Sequence, residues 1–210
     1  MGTISTAQCA WWAIVFGMLP SATLGAMSAQ PRVALFDLDG TLVDSDAALI
    51  APFTSLGVAA DRMPPLGLPL GEACAMAGVL VDDYLVLYDH TMVQPFPGVD
   101  ALLRALPRWA VCSNKARASG QLELERLGWK PELALFSEDF AGQPKHLPPV
   151  LEVLALDATG VVFVGDTAHD RSCAAAVGAT FALAGWNPRA VSEPADIVLR
   201  HPSEVLDLLR

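Results

Sequence analysis

Basic residues are scarce. The chain of 210 residues has 13 Lys and Arg against 23 Asp and Glu, a formal net charge of −10. Nucleic-acid binding depends on neutralising phosphates with Lys and Arg. With no basic tract and no interleaving of aromatic and basic residues, nucleic acid is excluded as a partner. Cysteine is sparse too: Cys9, Cys74, Cys112 and Cys173 are widely scattered and form no C-x-x-C pair. That spacing excludes a zinc site or a disulfide frame and points to reduced thiols in a cytoplasmic setting. Neither a Walker A loop nor G-x-G-x-x-G is present, which removes P-loop and dinucleotide chemistry. The first thirty residues lack Asp, Glu, Lys, Arg and His, and their apolar run, Cys9–Leu19, falls short of the about 20 residues that cross a bilayer. A secretory signal would need a positively charged start. With Met27 five residues before Arg32, residues 1–30 read as a mis-assigned start or a dispensable tail. A signal sequence or a peripheral anchor is the alternative, and no membrane partner is expected.

What is present suits a folded α/β protein. The chain is 53% hydrophobic and 17% charged, enough to bury a large core in one domain with a modest insert. Apolar runs at Arg32–Asp37, Trp109–Ser113, Ala134–Ser137, Val161–Gly165, Thr180–Ala184 and Ile197–Leu199 read as strands, buried on both faces as in parallel sheets. Helical patterns lie between them. Val99, Leu102, Leu103 and Leu106 keep a 3.6-residue period up to Pro107. Ala116–Leu127 stops at Gly128, Pro149–Ala155 is a third helix, and His169–Val177 stops at Gly178. The alternation predicts a Rossmann-like parallel sheet with helices on both faces and right-handed crossovers. One segment breaks it. Between 47 and 95 no strand is expected, and Pro69–Gly78 and Asp82–Val93 read as helices, the second with Val81, Leu85, Tyr88 and Met92 on one face. The expected organisation is an apolar extension at 1–30, a core at 31–46 and 96–210, and a small all-helical cap at 47–95, closed by the turn signal Pro95–Gly98.

Chemistry gathers at the strand ends. In "RVALFDLDGTLVDS" Asp37 and Asp39 are two apart, so both carboxylates point to one side. Gly40 then permits a sharp turn or a close ligand. Carboxylates packed together repel unless a cation or a shared proton relieves them. Later strands end in Ser113, Asn114 and Lys115, and in Gly165, Asp166, Thr167 and Asp170; Lys145 stands just before a helix. Parallel sheets bind ligands outside the carboxyl ends of their strands, so these clusters can share one crevice. Its oxygen ligands suit Mg²⁺, and its lysine, hydroxyl and N–H groups suit phosphoryl oxygens. A carboxylate can attack phosphorus while a second moves protons. Ser113 can also cap the following helix, and Asp170 can complement its helix start. Lys115 reads as a solvated neighbour, His146 and His169 as rim or hydrogen-bonding groups, and Cys112 as strand packing.

In this order these motifs resemble those of the haloacid dehalogenase superfamily, in its phosphatase branch with a helical cap after the first motif. "DLDGT", Ser113, Lys145 and "GDTAHD" carry the resemblance, from about Val33 to the C-terminus; "DGTLVDS" and "SNK" look most like phosphoglycolate phosphatase-type members. The resemblance implies Asp37 as nucleophile, Asp39 as acid/base, Ser113 and Lys145 holding the phosphoryl group, and Gly40, Thr41 and Asn114 against the substrate. It implies Mg²⁺ held by the side chains of Asp37 and Asp166 and the backbone carbonyl of Asp39, with Asp170 in support. The implied reaction is hydrolysis of small phosphate monoesters, phosphoglycolate among the candidates, through an aspartyl phosphate. A sugar phosphomutase has the same catalytic set and remains an alternative, as does a phosphoaccepting signalling module, although that class is shorter and orders its acids differently. A haloacid dehalogenase lacks the second aspartate. The interval from Asp37 to Ser113 is short for a full cap of this branch. Between 47 and 95 the acids Asp61, Glu72, Asp82, Asp83 and Asp89 face one permanent cation, Arg62, so Arg62 or a protonated His90 is the expected clamp for an anionic substrate group.

Overall fold

Val33–Phe36 (β1) is buried at every position and sits inside a six-stranded sheet, with a parallel strand on either side. The structure is a computed structural model and describes residues 32–210; the extension expected at 1–30 lies outside the described residues. After β1 come one strand of a short ribbon, Val43–Asp44 (β2), the helices Asp46–Ser55 (α1), Leu70–Ala77 (α2) and Val81–Leu87 (α3), and the second ribbon strand, Gln94–Pro95 (β3). Helices and strands then alternate up to β7: Val99–Ala105 (α4), Trp109–Cys112 (β4), Arg117–Leu127 (α5), Leu133–Leu135 (β5), Pro148–Leu154 (α6), Val161–Gly165 (β6), Ala168–Val177 (α7) and Thr180–Ala184 (β7), after which come Ile197–Leu199 (β8) and Val205–Leu208 (α8). The sheet is parallel throughout, in the order β5-β4-β1-β6-β7-β8. The chain leaves β1 towards β4 on one side and returns to β6 on the other, so the order reverses at β1. In doubly wound sheets the ligand crevice forms at that reversal.

Alternate residues of the same strands feed two hydrophobic clusters. Phe36, Val111 and Val164 pack with Val99, Leu102 and Leu124 of α4 and α5. Leu35, Ala110 and Phe163 pack with Val150, Cys173 and Ala174 of α6 and α7. This is the expected α/β architecture, with each of the six expected sheet strands found to within two residues at either end.

The segment between β2 and β3 departs from expectation in detail. The helix expected over Asp82–Val93 ends at Leu87, because Tyr88 turns extended (φ −71, ψ 117) and a 3₁₀ turn, His90–Met92, follows. The Asp89 carboxylate accepts from the Thr91 N–H at 2.9 Å and from its hydroxyl at 2.6 Å, a local bond that competes with helix. The buried face differs as well. Val81, Leu85 and Met92 are exposed, and Tyr84 packs instead, its ring centroid 4.7 Å from that of Phe53. Phe53, Val58, Cys74, Ala77 and Tyr84 form a third apolar cluster, separate from the two on the sheet. β3 itself falls at the end of 47–95, where no strand was expected.

A test of the packing lies in α5. Gly120 is buried in mid-helix, and a Cβ there would stand 2.1 Å from Cε1 of the fully buried Phe136 ring. Helix propensity alone makes Gly→Ala stabilising by about 1 kcal/mol, whereas overpacking costs roughly 1–3 kcal/mol. Gly120→Ala is expected to lower the unfolding free energy by about 1 kcal/mol in urea denaturation; a gain would show that α5 is free to move off the sheet.

Candidate active site

The sheet pattern runs one residue past β1, where the Asp37 N–H donates to the Val164 carbonyl at 3.0 Å. Asp37 is 4% exposed. The chain then folds back: Gly40 N–H donates to the Val43 carbonyl at 2.8 Å, and Leu42 and Val43 donate to Leu38. Gly40 has φ +78, and a Cβ on it would lie 2.3 Å from Asp166 Oδ2, so glycine is what lets the Asp166 carboxylate approach. The Thr41 hydroxyl donates to Asp166 Oδ1 at 3.2 Å. Asn187 donates from Nδ2 to the Gly40 carbonyl at 2.8 Å and to Asp166 Oδ2 at 3.0 Å, and Trp186 Nε1 donates to the Thr41 carbonyl at 2.8 Å. The first and last sequence motifs are thus joined through a loop after β7 that the motif pattern did not include.

Lys145 is the centre of the acid cluster. Its ammonium, 3% exposed, stands 2.8 Å from Asp37 Oδ1 and 2.7 Å from Asp170 Oδ1. Burial opposes the charge on Lys145, but Asp170 and Asp37 outweigh burial and hold its pKa above the ordinary lysine value. Asp170 also closes a capping box on α7, where its Oδ2 accepts from the Thr167 N–H at 3.0 Å and hydroxyl at 2.6 Å. Carboxylate oxygens of Asp37, Asp166 and Asp170 lie within 4.8 Å of one another. Burial, with Asp170 and Asp39 adding repulsion against Lys145, pushes Asp37 up to about 6; burial, with Asp37 and Asp170, pushes Asp166 up to about 7. One lysine among three acids leaves negative charge uncompensated. A hard oxygen donor set of this kind fits a divalent cation, and these three side chains could hold one. Asp39 contributes no side-chain oxygen to that group.

Ser113, Asn114 and Lys115 follow β4, all buried. Ser113 Oγ accepts from the Lys115 N–H at 3.3 Å; α5 begins only at Arg117, with Ala116 at its N-cap, so Ser113 does not cap it. Asn114 accepts from the Lys145 N–H at 2.6 Å and donates to the Gly67 carbonyl at 2.9 Å. Its amide, like the Thr41 hydroxyl, is therefore engaged within the protein. Lys115 is not solvated. At 7% exposure, its ammonium donates to Asp39 Oδ1 at 2.8 Å and to the Tyr88 hydroxyl at 2.9 Å, and pairs with Glu123 Oε1 at 3.0 Å. Tyr88 in turn donates to Glu123 at 2.5 Å. Burial raises the Glu123 pKa, with Lys115 opposing. The expectation failed because the partners of Lys115 come from three separate elements. The histidines sit beside the site: His169 Nε2 contacts the Lys145 carbonyl at 3.0 Å and His146 Nδ1 the Pro144 carbonyl at 3.1 Å. Cys112 is packed within β4. A cavity opens over Asp37, Asp39, Ser113 and Lys145, roofed by residues from α1, α2 and α3.

A family model described as haloacid dehalogenase-like hydrolase matches residues 71–184. The chain belongs to the haloacid dehalogenase-like hydrolases. Among the hydrolase's curated relatives, the phosphoglycolate phosphatase of Xylella fastidiosa is 30% identical over 192 residues, covering 77% of this chain and 83% of that protein. The N-acetylmuramic acid 6-phosphate phosphatase of Pseudomonas aeruginosa is 28% identical, with 85% and 94% covered. A solved haloacid dehalogenase superfamily hydrolase of Geobacter sulfurreducens superposes with a TM-score of 0.64 at 25% identity, covering 86% of this chain and 100% of that one.

The acid cluster sets a pH dependence in this hydrolase. A carboxyl whose folded pKa exceeds its unfolded value binds its proton more tightly when folded. The stability it contributes is present below the unfolded value of 3.8 and is lost as pH rises through about 6 for Asp37 and about 7 for Asp166. A bound divalent cation would remove that loss. The Tm difference between cation-loaded and chelator-treated protein is expected to widen from pH 5 to pH 8 by at least about 4 °C, or about 1–2 kcal/mol. A difference that stays flat across this range would separate the cluster from cation binding.

Proposed function

We propose that this hydrolase is a Mg²⁺-dependent phosphatase of small phosphate monoesters that works through an aspartyl phosphate on Asp37. The observation that carries the reading is the ion pair of Asp37 with Lys145, buried at the end of β1 inside the Asp37–Asp166–Asp170 group. Asp37 attacks phosphorus, forming its Oδ–P bond as the bond from phosphorus to the ester oxygen breaks. Asp39 gives its proton to the departing alkoxide, then takes one from the water that attacks the phosphoenzyme and releases phosphate. Lys145 and Ser113 hold the phosphoryl oxygens. The side chains of Asp37 and Asp166 and the Asp39 carbonyl, with Asp170 in support, would hold Mg²⁺, which would offset the negative charge gathered there. The reading extends to the segment 47–95 as a cap, which its separate apolar cluster supports.

The relatives' names cover both a small acid and a sugar phosphate at nearly equal identity, so similarity alone does not select phosphoglycolate. Asp37→Asn is expected to abolish turnover, because the amide keeps the side chain's size but cannot attack. Asp39→Asn is expected to slow an alkyl phosphate by about 10²–10⁴-fold and an aryl phosphate far less, with phosphate trapped on Asp37 in mass spectrometry. Wild-type turnover in the first variant, or equal losses on both esters in the second, would overturn these roles.

A further inference from the structure

We propose that the group leaving with the ester oxygen is an uncharged alkyl group, not a carboxylate-bearing one. The inference rests on the phosphatase reading and deepens it. Beyond Asp37 and Lys145, the cavity is walled by Leu49, Ile50 and Phe53 of α1, by Met63 and Leu66 of the loop before α2, and by Tyr84 of α3. Neither Arg62 nor His90 lines it; Arg62 is exposed on a 3₁₀ turn. Among the described residues, 47–95 therefore brings no cation to the substrate.

The cations that do reach the space are already matched. Lys145 faces Asp37 and Asp170, and Lys115 faces Asp39, Glu123 and the Tyr88 hydroxyl. A second opening past Gly67, over Asp39 and Asp166, is lined by Arg171 and Arg189. Arg171 is paired with Asp196 and Glu193, and Arg189 with Asp46. A substrate carboxylate would be stripped of water against a largely apolar wall whose lysines are already paired, and a buried unpaired charge is strongly disfavoured. An alkyl group gains from the same wall. The balance of the reaction is unchanged: the ester oxygen leaves with its alkyl group and the Asp39 proton, and water supplies the oxygen of released phosphate.

The test compares isobutyl phosphate with phosphoglycolate on the full chain with Mg²⁺. The two leaving groups have equal numbers of non-hydrogen atoms and both need a proton, so charge is the main difference. A kcat/KM at least about tenfold higher for isobutyl phosphate is expected; any smaller ratio, or the reverse preference, overturns the inference while leaving the phosphatase reading intact. Turnover of neither ester overturns the phosphatase reading and the inference with it. Leu66→Lys, on a partly exposed loop, places a cation on the wall and is expected to shift the ratio towards phosphoglycolate. An unchanged ratio would show that the wall does not select, and would also overturn the proposal.

Discussion

Lys145 holds the site together. Its ammonium is buried between Asp37 and Asp170, and the strand ends could not crowd three carboxylates without it. Removing one member of a buried ion pair costs about 3–5 kcal/mol, because the remaining charge is left without water or a partner. The backbone is arranged to bring this lysine in: Asn114 accepts from its N–H, and His169 meets its carbonyl. The lysine therefore ties the loop before α6 to the ends of β1 and β4 and to the start of α7. Glycine completes the arrangement, since Gly40 and Gly165 leave the space that the carboxylates of Asp166 and Asp170 occupy.

A second lysine repeats the device for the other aspartate. Lys115 joins Asp39 to Glu123 as Lys145 joins Asp37 to Asp170. Asp37 and Asp39 are two residues apart, yet they sit in different electrostatic surroundings: one among the candidate cation ligands, the other against α5 and the segment before β3. Environments that differ in this way are how two like carboxyls take different tasks.

The sheet and the acids at its edge were legible because the strands are short apolar runs, β1, β4 and β6 ending in polar residues, and parallel topology brings such ends together. Less was legible where a contact joins distant elements. Lys115 and Tyr88 are 27 positions apart, and neither residue's neighbours in sequence hint at the other. Tyr88 was placed on a helix face with Met92; the Asp89 side chain instead ends the helix before it and turns the hydroxyl towards the core. Asn187 follows the end of β7 in "GWNP", so the strand-end rule that selected Ser113 and Asp166 applies to it too.

Tyr84 and Tyr88 are the chain's 2 tyrosines, and both lie between β2 and β3. They do different work. Tyr84 is packed on Phe53 and donates to the Leu49 carbonyl at 3.0 Å, which binds α3 to α1. Tyr88 reaches out of that cluster to Glu123 and Lys115, so its hydroxyl is a polar link from the helical segment to the ion pair around Asp39. The rest of the wall that 47–95 places over the cavity is apolar and supplies no charge of its own. On the proposed phosphatase reading, binding of an anionic ester comes from the core, through the phosphoryl group, while the helical segment acts by shape and by excluding water. A short insert is sufficient for that division of labour, because apolar contact needs area and closure but no long side chain reaching down to a distal anion.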